Sequence, residues 1–244
     1  MKKNDLLGRT IEILNKEKRG KVLDLGCGDG DYSNKLKELG FDITATDLDE
    51  TRFRYRNIVE FQKCDITQKL PFSDNSFDCV LFLEVVEHLK NPYFVIGEIK
   101  RILKNQGILI LSTPNILNIK SRLRFLIEGA FEYFREPPLD QLANPKEKIF
   151  NLHIHPYRFH ELEYLVSSNG FKIENIYTSI YENWELSFLL PLIKLQLFLK
   201  EKRSLKKKGI DYSRINKILL SKELLYGRHL ILKARKTEKS QHFL

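Results

Sequence analysis

Apolar residues recur with two different periods along the first two thirds of the chain, so short strands and amphipathic helices are predicted to alternate. Short apolar runs predict buried strands at 21–25, 41–49, 58–66, 77–85, 107–112 and 171–180, and a last strand at 226–236. Spacings of three and four between apolar residues predict helices at 4–18, 32–39, 91–104 and 159–168. This alternation predicts a parallel sheet that binds its ligands at the carboxyl ends of the strands.

Three glycines follow the first predicted strand at single-residue intervals, Gly26, Gly28 and Gly30, and the next helix begins near Asp31. Such a turn can adopt positive φ and let backbone N–H groups approach a polar ligand. Asp47 ends the second strand, at about the distance where an acidic residue binds ribose hydroxyls in a βαβ nucleotide site. These features indicate a nucleoside ligand; a glycine turn without any ligand is the alternative.

The sequence DLGCGDG from Asp24 to Gly30, with Asp47 downstream, resembles motifs I and II of the class I S-adenosylmethionine (SAM)-dependent methyltransferases. The dinucleotide fingerprint has the spacing G-x-G-x-x-G, whereas this turn has G-x-G-x-G, which disfavours NAD. The resemblance extends through Cys64-Asp65-Ile66 and LPFSDNSFDCVLFLEVVEHL, which are similar to the small-molecule branch that includes quinone-biosynthesis methyltransferases. It covers roughly residues 20–180 and the last strand.

The resemblance implies an α/β fold: a Rossmann-like, doubly wound, seven-stranded sheet, mostly parallel, with an antiparallel last strand and helical insertions over the active face. It also implies SAM as cofactor, with its methionine portion along the glycine turn, its ribose on Asp47 and its adenine beside Asp65. The cofactor-binding residues expected from it are Asp24, Gly26, Cys27, Gly28, Gly30, Asp47, Leu48, Asp65, Ile66, Leu83 and Glu84.

A proton acceptor is needed if the methyl acceptor is a hydroxyl or an activated carbon. His88 is the first candidate, because it follows the fourth strand and histidine titrates near neutral pH. His153 and His155 come second. The alternative for His88 is a structural role, holding a loop or Glu84. The H-x-H pair lacks a third ligand at a convincing spacing, so no metal is expected.

One methyltransferase domain over residues 1–244 is expected, with two insertions. The first, 116–151, leaves the end of the fifth strand and is interpreted as a lid over the acceptor pocket, rich in aromatic residues and loop-like around Pro137, Pro138 and Pro145. The second, 181–225, interrupts the last hairpin at the same edge of the sheet.

The second insertion is apolar and then basic. Residues 184–199 read WELSFLLPLIKLQLFL, shorter than a membrane span, and Lys200, Lys202, Arg203, Lys206, Lys207 and Lys208 follow. The predicted role is docking of this segment on an anionic membrane surface, with a lipid-linked or small-molecule acceptor methylated on oxygen or carbon there. Packing on the sheet or on a second subunit is the alternative.

Charge is distributed unevenly along the chain. Residues 184–244 hold 15 Lys and Arg against 5 Asp and Glu, and residues 1–183 hold the remaining 26 and 27. A nucleic-acid methyltransferase is one alternative, but Leu83-Glu84-Val85-Val86 replaces the N/D-P-P-Y/F/W tetrad of the amino-group enzymes. A catalytically silent binding protein of this fold is another, which the intact glycine turn disfavours. Three cysteines without metal spacing fit a reducing cytosol, with peripheral association at the inner face of the membrane.

Overall fold

The computed structural model describes residues 6–134, 153, 155–208 and 211–238. Seven strands form one sheet in the order β3-β2-β1-β4-β5-β7-β6. The strands are β1 (Lys21–Leu25), β2 (Asp42–Asp47), β3 (Glu60–Lys63), β4 (Phe77–Leu83), β5 (Leu103–Pro114), β6 (Phe171–Tyr177) and β7 (His229–Lys236). β7 lies between β5 and β6 and is antiparallel to both, while the remaining pairs are parallel. The predicted fold class is confirmed.

Helices cover both faces of this sheet. They are α1 (Leu6–Leu14), α2 (Asp31–Glu38), α3 (Pro92–Ile102), α4 (Ile119–Glu128), α5 (Phe159–Ser168), α6 (Leu190–Lys208), α7 (Ser213–Leu219) and α8 (Lys222–Tyr226). Alternate strand residues pack on opposite faces: Val22 joins the apolar cluster under α1 and α2, and Leu23 joins the cluster under α3 and α5. Both faces are therefore buried, as apolar parallel strands require.

Most predicted elements occur within a few residues of their expected bounds, with two larger differences. β5 begins at Leu103 instead of residue 107, since a register shift between Phe77 and Cys79 lets β4 pair with the earlier residue. Tyr226 was expected in the last strand, but it ends α8 and is buried with Leu224 and Leu225. The N-cap Ser221, whose hydroxyl accepts from the Leu224 N–H, starts that short helix.

The region of the second insertion folds as helices. The apolar stretch predicted at 184–199 divides into a 3-10 helix, Trp184–Leu189, and the first half of α6. Their inner side chains, Leu186, Leu189, Leu190 and Ile193, pack on a cluster of Ile119, Leu225 and Tyr226. Among the described residues, no helix has the length and apolar character needed to cross a bilayer. The Pro137, Pro138 and Pro145 loop of the first insertion lies outside the described residues.

Candidate active site

In the glycine turn after β1, a side chain at Gly28 would have more room than one at Gly26 or Gly30. All three glycines have positive φ, at 87°, 58° and 85°. A Cβ on Gly26 would lie 2.7 Å from a Val85 methyl, and one on Gly30 would meet the Phe53 ring, whereas at Gly28 the nearest atom would be the Arg52 Nη2 at 3.8 Å. Gly26 and Gly30 therefore serve close packing, and Gly28 borders the space that a ligand can enter.

The N–H groups of this turn already have partners within the chain. Gly26 and Cys27 both donate to the Thr46 carbonyl, and Gly28 donates to Asp47 Oδ2 at 2.8 Å. Gly30 donates to the Cys27 carbonyl. The four N–H groups are thus engaged within the chain, those of Gly26 and Cys27 because β1 and β2 continue their pairing into the turn.

Asp47 and the space beside Gly28 fit a nucleoside. Each oxygen of the Asp47 carboxylate accepts one backbone N–H, from Gly28 or from Asp49, which fixes its position at the turn. A carboxylate offers about four acceptor positions, so two remain for ribose hydroxyls. Asp65, just beyond β3, holds its side chain by accepting from the N–H and hydroxyl of Thr67. Asp47 ends β2 and Asp65 follows the neighbouring β3, so both carboxylates lie at the carboxyl edge of the sheet.

The other residues expected at the cofactor differ in accessibility. Asp24 is buried beneath the turn, where it accepts from the Ser33 hydroxyl at 2.6 Å, and burial raises its pKa to about 6. Burial likewise raises the pKa of the half-buried Cys27 thiol, and Leu83 is almost fully buried. Leu48 is exposed and Ile66 half-buried, so both present surface at this edge. Asp24 therefore supports the turn and its side chain is not positioned to contact a ligand.

Glu84 begins the exit loop of β4 in a left-handed conformation, with φ of 56°. The Glu84 N–H donates to the carbonyl and hydroxyl oxygens of Ser112 on β5. The Ser112 hydroxyl in turn donates to Glu84 Oε1 at 2.6 Å. Burial raises the pKa of Glu84 to about 7, although the Ser112 hydrogen bond opposes the shift. A strained residue at a strand end is held by its surroundings, here by β5, and its carboxyl can bind or release a proton near neutral pH.

His229, the first residue of β7, brings a second titratable group to Glu84. Its Nε2 lies 3.6 Å from Glu84 Oε2, and its Nδ1 is 2.6 Å from the Ser179 hydroxyl oxygen. Burial, together with the positive charge of Arg228, lowers the pKa of His229 to about 4, so the imidazole is neutral at pH 7. The sequence analysis missed Ser112, Ser179 and His229, because no local motif carries them and only sheet pairing brings them to Glu84.

A second group of side chains surrounds the 3-10 turn Val86–His88. Glu87 is fully buried, and within the part of the chain that the structure describes neither carboxyl oxygen has a hydrogen-bond partner; the buried Thr113 hydroxyl lies beside it without reaching hydrogen-bond geometry. Desolvation and the nearby Glu84 raise the pKa of Glu87 well above its ordinary value. His88 stacks on His153 with ring centroids 4.9 Å apart.

Of the predicted histidines, the structure brings His88 and His153 together with Glu87, with their potential ligand atoms all within 4.8 Å of one another. One carboxylate and two imidazoles are groups that bind divalent cations, although the sequence predicted no metal. His155 is not part of this group; its N–H donates to the Glu87 carbonyl, and its ring lies against Tyr157. The H-x-H pair therefore does not act as one unit.

Comparisons with known proteins match the part of the chain that carries the glycine turn and Asp47. A family model described as Methyltransferase domain (Methyltransf_11) matches residues 23–111, from β1 into β5. A probable S-adenosylmethionine-dependent methyltransferase of Mycobacterium tuberculosis is 35% identical over 99 residues, which are 38% of this chain and 35% of that protein. A ubiquinone biosynthesis O-methyltransferase of Dechloromonas aromatica is 28% identical over 156 residues, which are 57% of this chain and 66% of that protein.

A solved SAM-dependent methyltransferase from Archaeoglobus fulgidus has the same fold. It superposes with a TM-score of 0.58 and 17% identity, over 95% of this chain and 93% of the other. The chain spans less than two thirds of the length of the two curated relatives, so their likeness concerns the domain that carries the site. The protein thus has the fold of solved SAM-dependent methyltransferases, and the residues matched by the methyltransferase domain model include its glycine turn and Asp47.

Proposed function

We propose that the protein is an enzyme that transfers the methyl group of SAM to a small-molecule or lipid-linked acceptor. The observation that carries this proposal is the fixed carboxylate of Asp47 at the carboxyl edge of the sheet, next to Gly28, where a Cβ would make only one ordinary contact. Bound SAM would supply an electrophilic methyl group on a sulfonium. In this proposal Asp47 accepts hydrogen bonds from the ribose and Asp65 lies beside the adenine.

The residues after β4 would serve the acceptor. Methyl transfer is a direct displacement, so the main requirement is alignment of acceptor, methyl and sulfur, which can contribute ~7–11 kcal/mol in favourable cases. For a hydroxyl acceptor a base is also needed. Glu84 joins His88 as a candidate base, because its carboxyl titrates near pH 7 at the edge where β1 and β4 meet. If His88 is the base, His88→Ala lowers turnover without weakening SAM binding.

The name of the Dechloromonas relative supports a hydroxyl acceptor, and the composition of α6 supports a position near lipid. Leu192, Leu195 and Leu199 lie on one side of α6 and are exposed, while Ile193 is packed on the opposite side. Lys194, Lys200, Lys202, Arg203 and Lys206 are exposed on the same helix. An exposed apolar side with flanking cations is suited to the interface of an anionic membrane.

Labelled SAM, incubated with the protein and with fractionated cell extract, tests the proposed function. Label in the lipid fraction supports a lipid-linked acceptor, and label in the water-soluble fraction supports a free one. Calorimetry with SAM and with S-adenosylhomocysteine measures cofactor binding separately. If neither compound binds, the proposed function is wrong.

A further inference from the structure

Glu87, in the 3-10 turn Val86–His88 after β4, carries a buried carboxyl group that the fold does not satisfy. The residue is 0% exposed, and among the residues that the structure describes neither Oε1 nor Oε2 accepts a hydrogen bond. Its burial, together with the nearby Glu84, makes the ionised form costly and raises its pKa. Buried carboxyl groups in proteins are normally hydrogen-bonded, paired with a charge or bound to a metal ion.

Two imidazoles lie beside this carboxyl group. A carboxyl oxygen of Glu87 and one ring nitrogen each of His88 and His153 all lie within 4.8 Å of one another. Ligand atoms lie about 2.0–2.2 Å from a bound zinc ion, so two ligand atoms of one ion are roughly 3–4 Å apart. Small side-chain rotations therefore suffice to close the group around an ion. Both imidazoles are only partly buried, which gives an ion a route to the carboxyl group.

The backbone brings these three side chains together from two segments. Glu87 and His88 belong to the 3-10 turn, in which the His88 N–H donates to the Val85 carbonyl at 3.1 Å. The His155 N–H donates to the Glu87 carbonyl at 3.0 Å, which holds His155, and with it the nearby His153, against the turn. The arrangement of the three side chains is therefore set by the fold and does not require an ion.

We propose that Glu87, His88 and His153 bind one divalent transition-metal ion. A ligand set of two ring nitrogens and one carboxylate oxygen favours ions such as Zn²⁺ over Mg²⁺ and Ca²⁺, which prefer oxygen ligands. Three protein ligands leave at least one coordination position open, as in zinc sites that act on a substrate. The ion would also neutralise the buried Glu87 carboxylate.

The location of the group indicates what the open coordination position binds. The turn follows β4, at the carboxyl edge of the sheet where Asp47 also lies. An acceptor hydroxyl bound to the ion would lose its proton to water more readily. Its oxygen would then bond to the methyl carbon as the bond from that carbon to the sulfonium breaks. His88 would act through the ion instead of as a base. This role rests on the proposed function, whereas the metal site does not.

The test measures metal binding by the tag-free full chain after dialysis against a chelator, by calorimetry with Zn²⁺ and with Mg²⁺. We expect the wild type to bind one Zn²⁺ and to bind Mg²⁺ at least about tenfold more weakly. Glu87→Gln, His88→Gln and His153→Gln should each weaken Zn²⁺ binding at least about tenfold, because each removes a ligand. His155→Gln is the matched control and should bind Zn²⁺ like the wild type, since its ring lies against Tyr157.

Two further readouts locate the ion. Bound Co²⁺ should show no thiolate charge-transfer band, because the group contains no cysteine. Zn²⁺ at about 100 times its Kd should raise the melting temperature of the wild type by about 5–10 °C, and that of His153→Gln at the same concentration by less.

Three results would overturn the metal site. They are no saturable Zn²⁺ binding by the wild type, equal Zn²⁺ binding by the wild type and His153→Gln, and a thiolate band with Co²⁺. Loss of Zn²⁺ binding in His155→Gln would equally overturn the proposed ligand set. Zn²⁺ binding without S-adenosylhomocysteine binding would overturn the proposed function and leave the metal site standing.

Discussion

At the scale of single residues, Gly28 has a different role from the glycines around it. It combines positive φ with room for a would-be Cβ, which would lie 3.8 Å from Arg52 Nη2, whereas a Cβ at Gly26 or Gly30 would clash with Val85 or Phe53. A methyl group at residue 28 therefore enters the space assigned to the cofactor instead of the protein interior. Substitution of Gly28 is therefore expected to weaken cofactor binding in addition to any effect on folding.

Gly28→Ala and Gly40→Ala test that expectation. Gly40 has φ of 80°, and a Cβ there would make only an ordinary contact with Arg19. Both variants are expected to lose roughly 1–2 kcal/mol of unfolding free energy from the left-handed backbone. Only Gly28→Ala is expected to weaken SAM binding, by about tenfold or more, in calorimetry. Unchanged SAM affinity in Gly28→Ala would contradict the assignment of this space.

Glu84 makes a pH-dependent contribution to stability. Its pKa is raised above that of an unfolded glutamate, so its stabilising contribution is complete below about pH 4.5 and is lost as the pH rises through about 7. The pKa of Glu87 is also raised, so its contribution to stability likewise falls as the pH rises. His229 has the opposite effect on stability: because its pKa is lowered, its contribution to stability rises between about pH 4 and 6.5. The groups facing Glu84 are Ser112, His229, Glu87 and the more distant Arg228.

Glu84→Gln isolates this contribution. Gln keeps an acceptor for the Ser112 hydroxyl but has no charge, so the variant should gain stability over the wild type as the pH rises from 5 to 7.5. Urea unfolding at the two pH values measures the difference, expected to grow by about 1–3 kcal/mol. Exposed Glu185, replaced by Gln, is the control and should show no such growth. A constant difference between wild type and Glu84→Gln would show that the Glu84 carboxyl is ionised throughout this range.

At the scale of elements, α6 has two apolar sides. Leu190 and Ile193 anchor one side on the α4–α8 cluster, while Leu192 and Leu195 on the other are 67% and 54% exposed. In α4, Leu126 and Ile127 are 80% and 73% exposed. These two elements flank the same cluster, so the exposed apolar surface is concentrated on the segments that follow β5 and β6.

Sedimentation with vesicles tests the outer side of α6. The wild type is expected to bind phosphatidylglycerol vesicles at low salt, and the double variant Leu192→Glu with Leu195→Glu to bind at least about tenfold less, because burial of a leucine contributes about 1.5–3 kcal/mol. Gln196→Glu adds a negative charge at a neighbouring exposed position and is the control. If the wild type stays in the supernatant, or if the double variant binds equally well, α6 does not dock on lipid.

At the scale of the whole molecule, charged residues join distant segments at the edge of the sheet opposite the active site. Lys233 and Arg235, on β7, pair with Glu17, which follows α1, and with Glu174 on β6. The pKa of Glu174 is lowered to about 2 by its hydrogen bonds to Arg235 and Lys233, and the pKa of Glu17 is lowered by the same two cations. This network therefore contributes stability that acid removes.

Lys233→Met should lower the unfolding free energy by about 2–3 kcal/mol at pH 7, because Lys233 is 8% exposed and donates to two carboxylates. Both carboxylates have lowered pKa values, so this loss should shrink as the pH falls from about 4.5 towards 2. Urea unfolding at pH 7 and pH 3 measures it, with exposed Lys172→Met as control. A loss of equal size at both pH values would show that Lys233 stabilises through its apolar stem instead.

The sequence alone determined the strands and helices of the α/β domain and the cofactor edge. Val22, Leu23 and Leu25 predict a buried strand from their apolar character. The glycine turn and Asp47 lie within one βαβ unit of 27 residues, so both can be recognised from a short stretch of sequence. Even there, the sequence could not reveal that Thr46 and Asp47 already engage the N–H groups of the turn.

Only the tertiary structure decided which groups surround Glu84, His229 and Glu87. Ser112 reaches Glu84 across 28 residues because β5 pairs with β4, and Ser179 reaches His229 across 50 because β7 lies antiparallel beside β6. The burial of Glu87 likewise depends on which segments pack against it. Hydrophobic periodicity specifies which side of an element is buried, but it does not specify which distant polar groups that packing brings together.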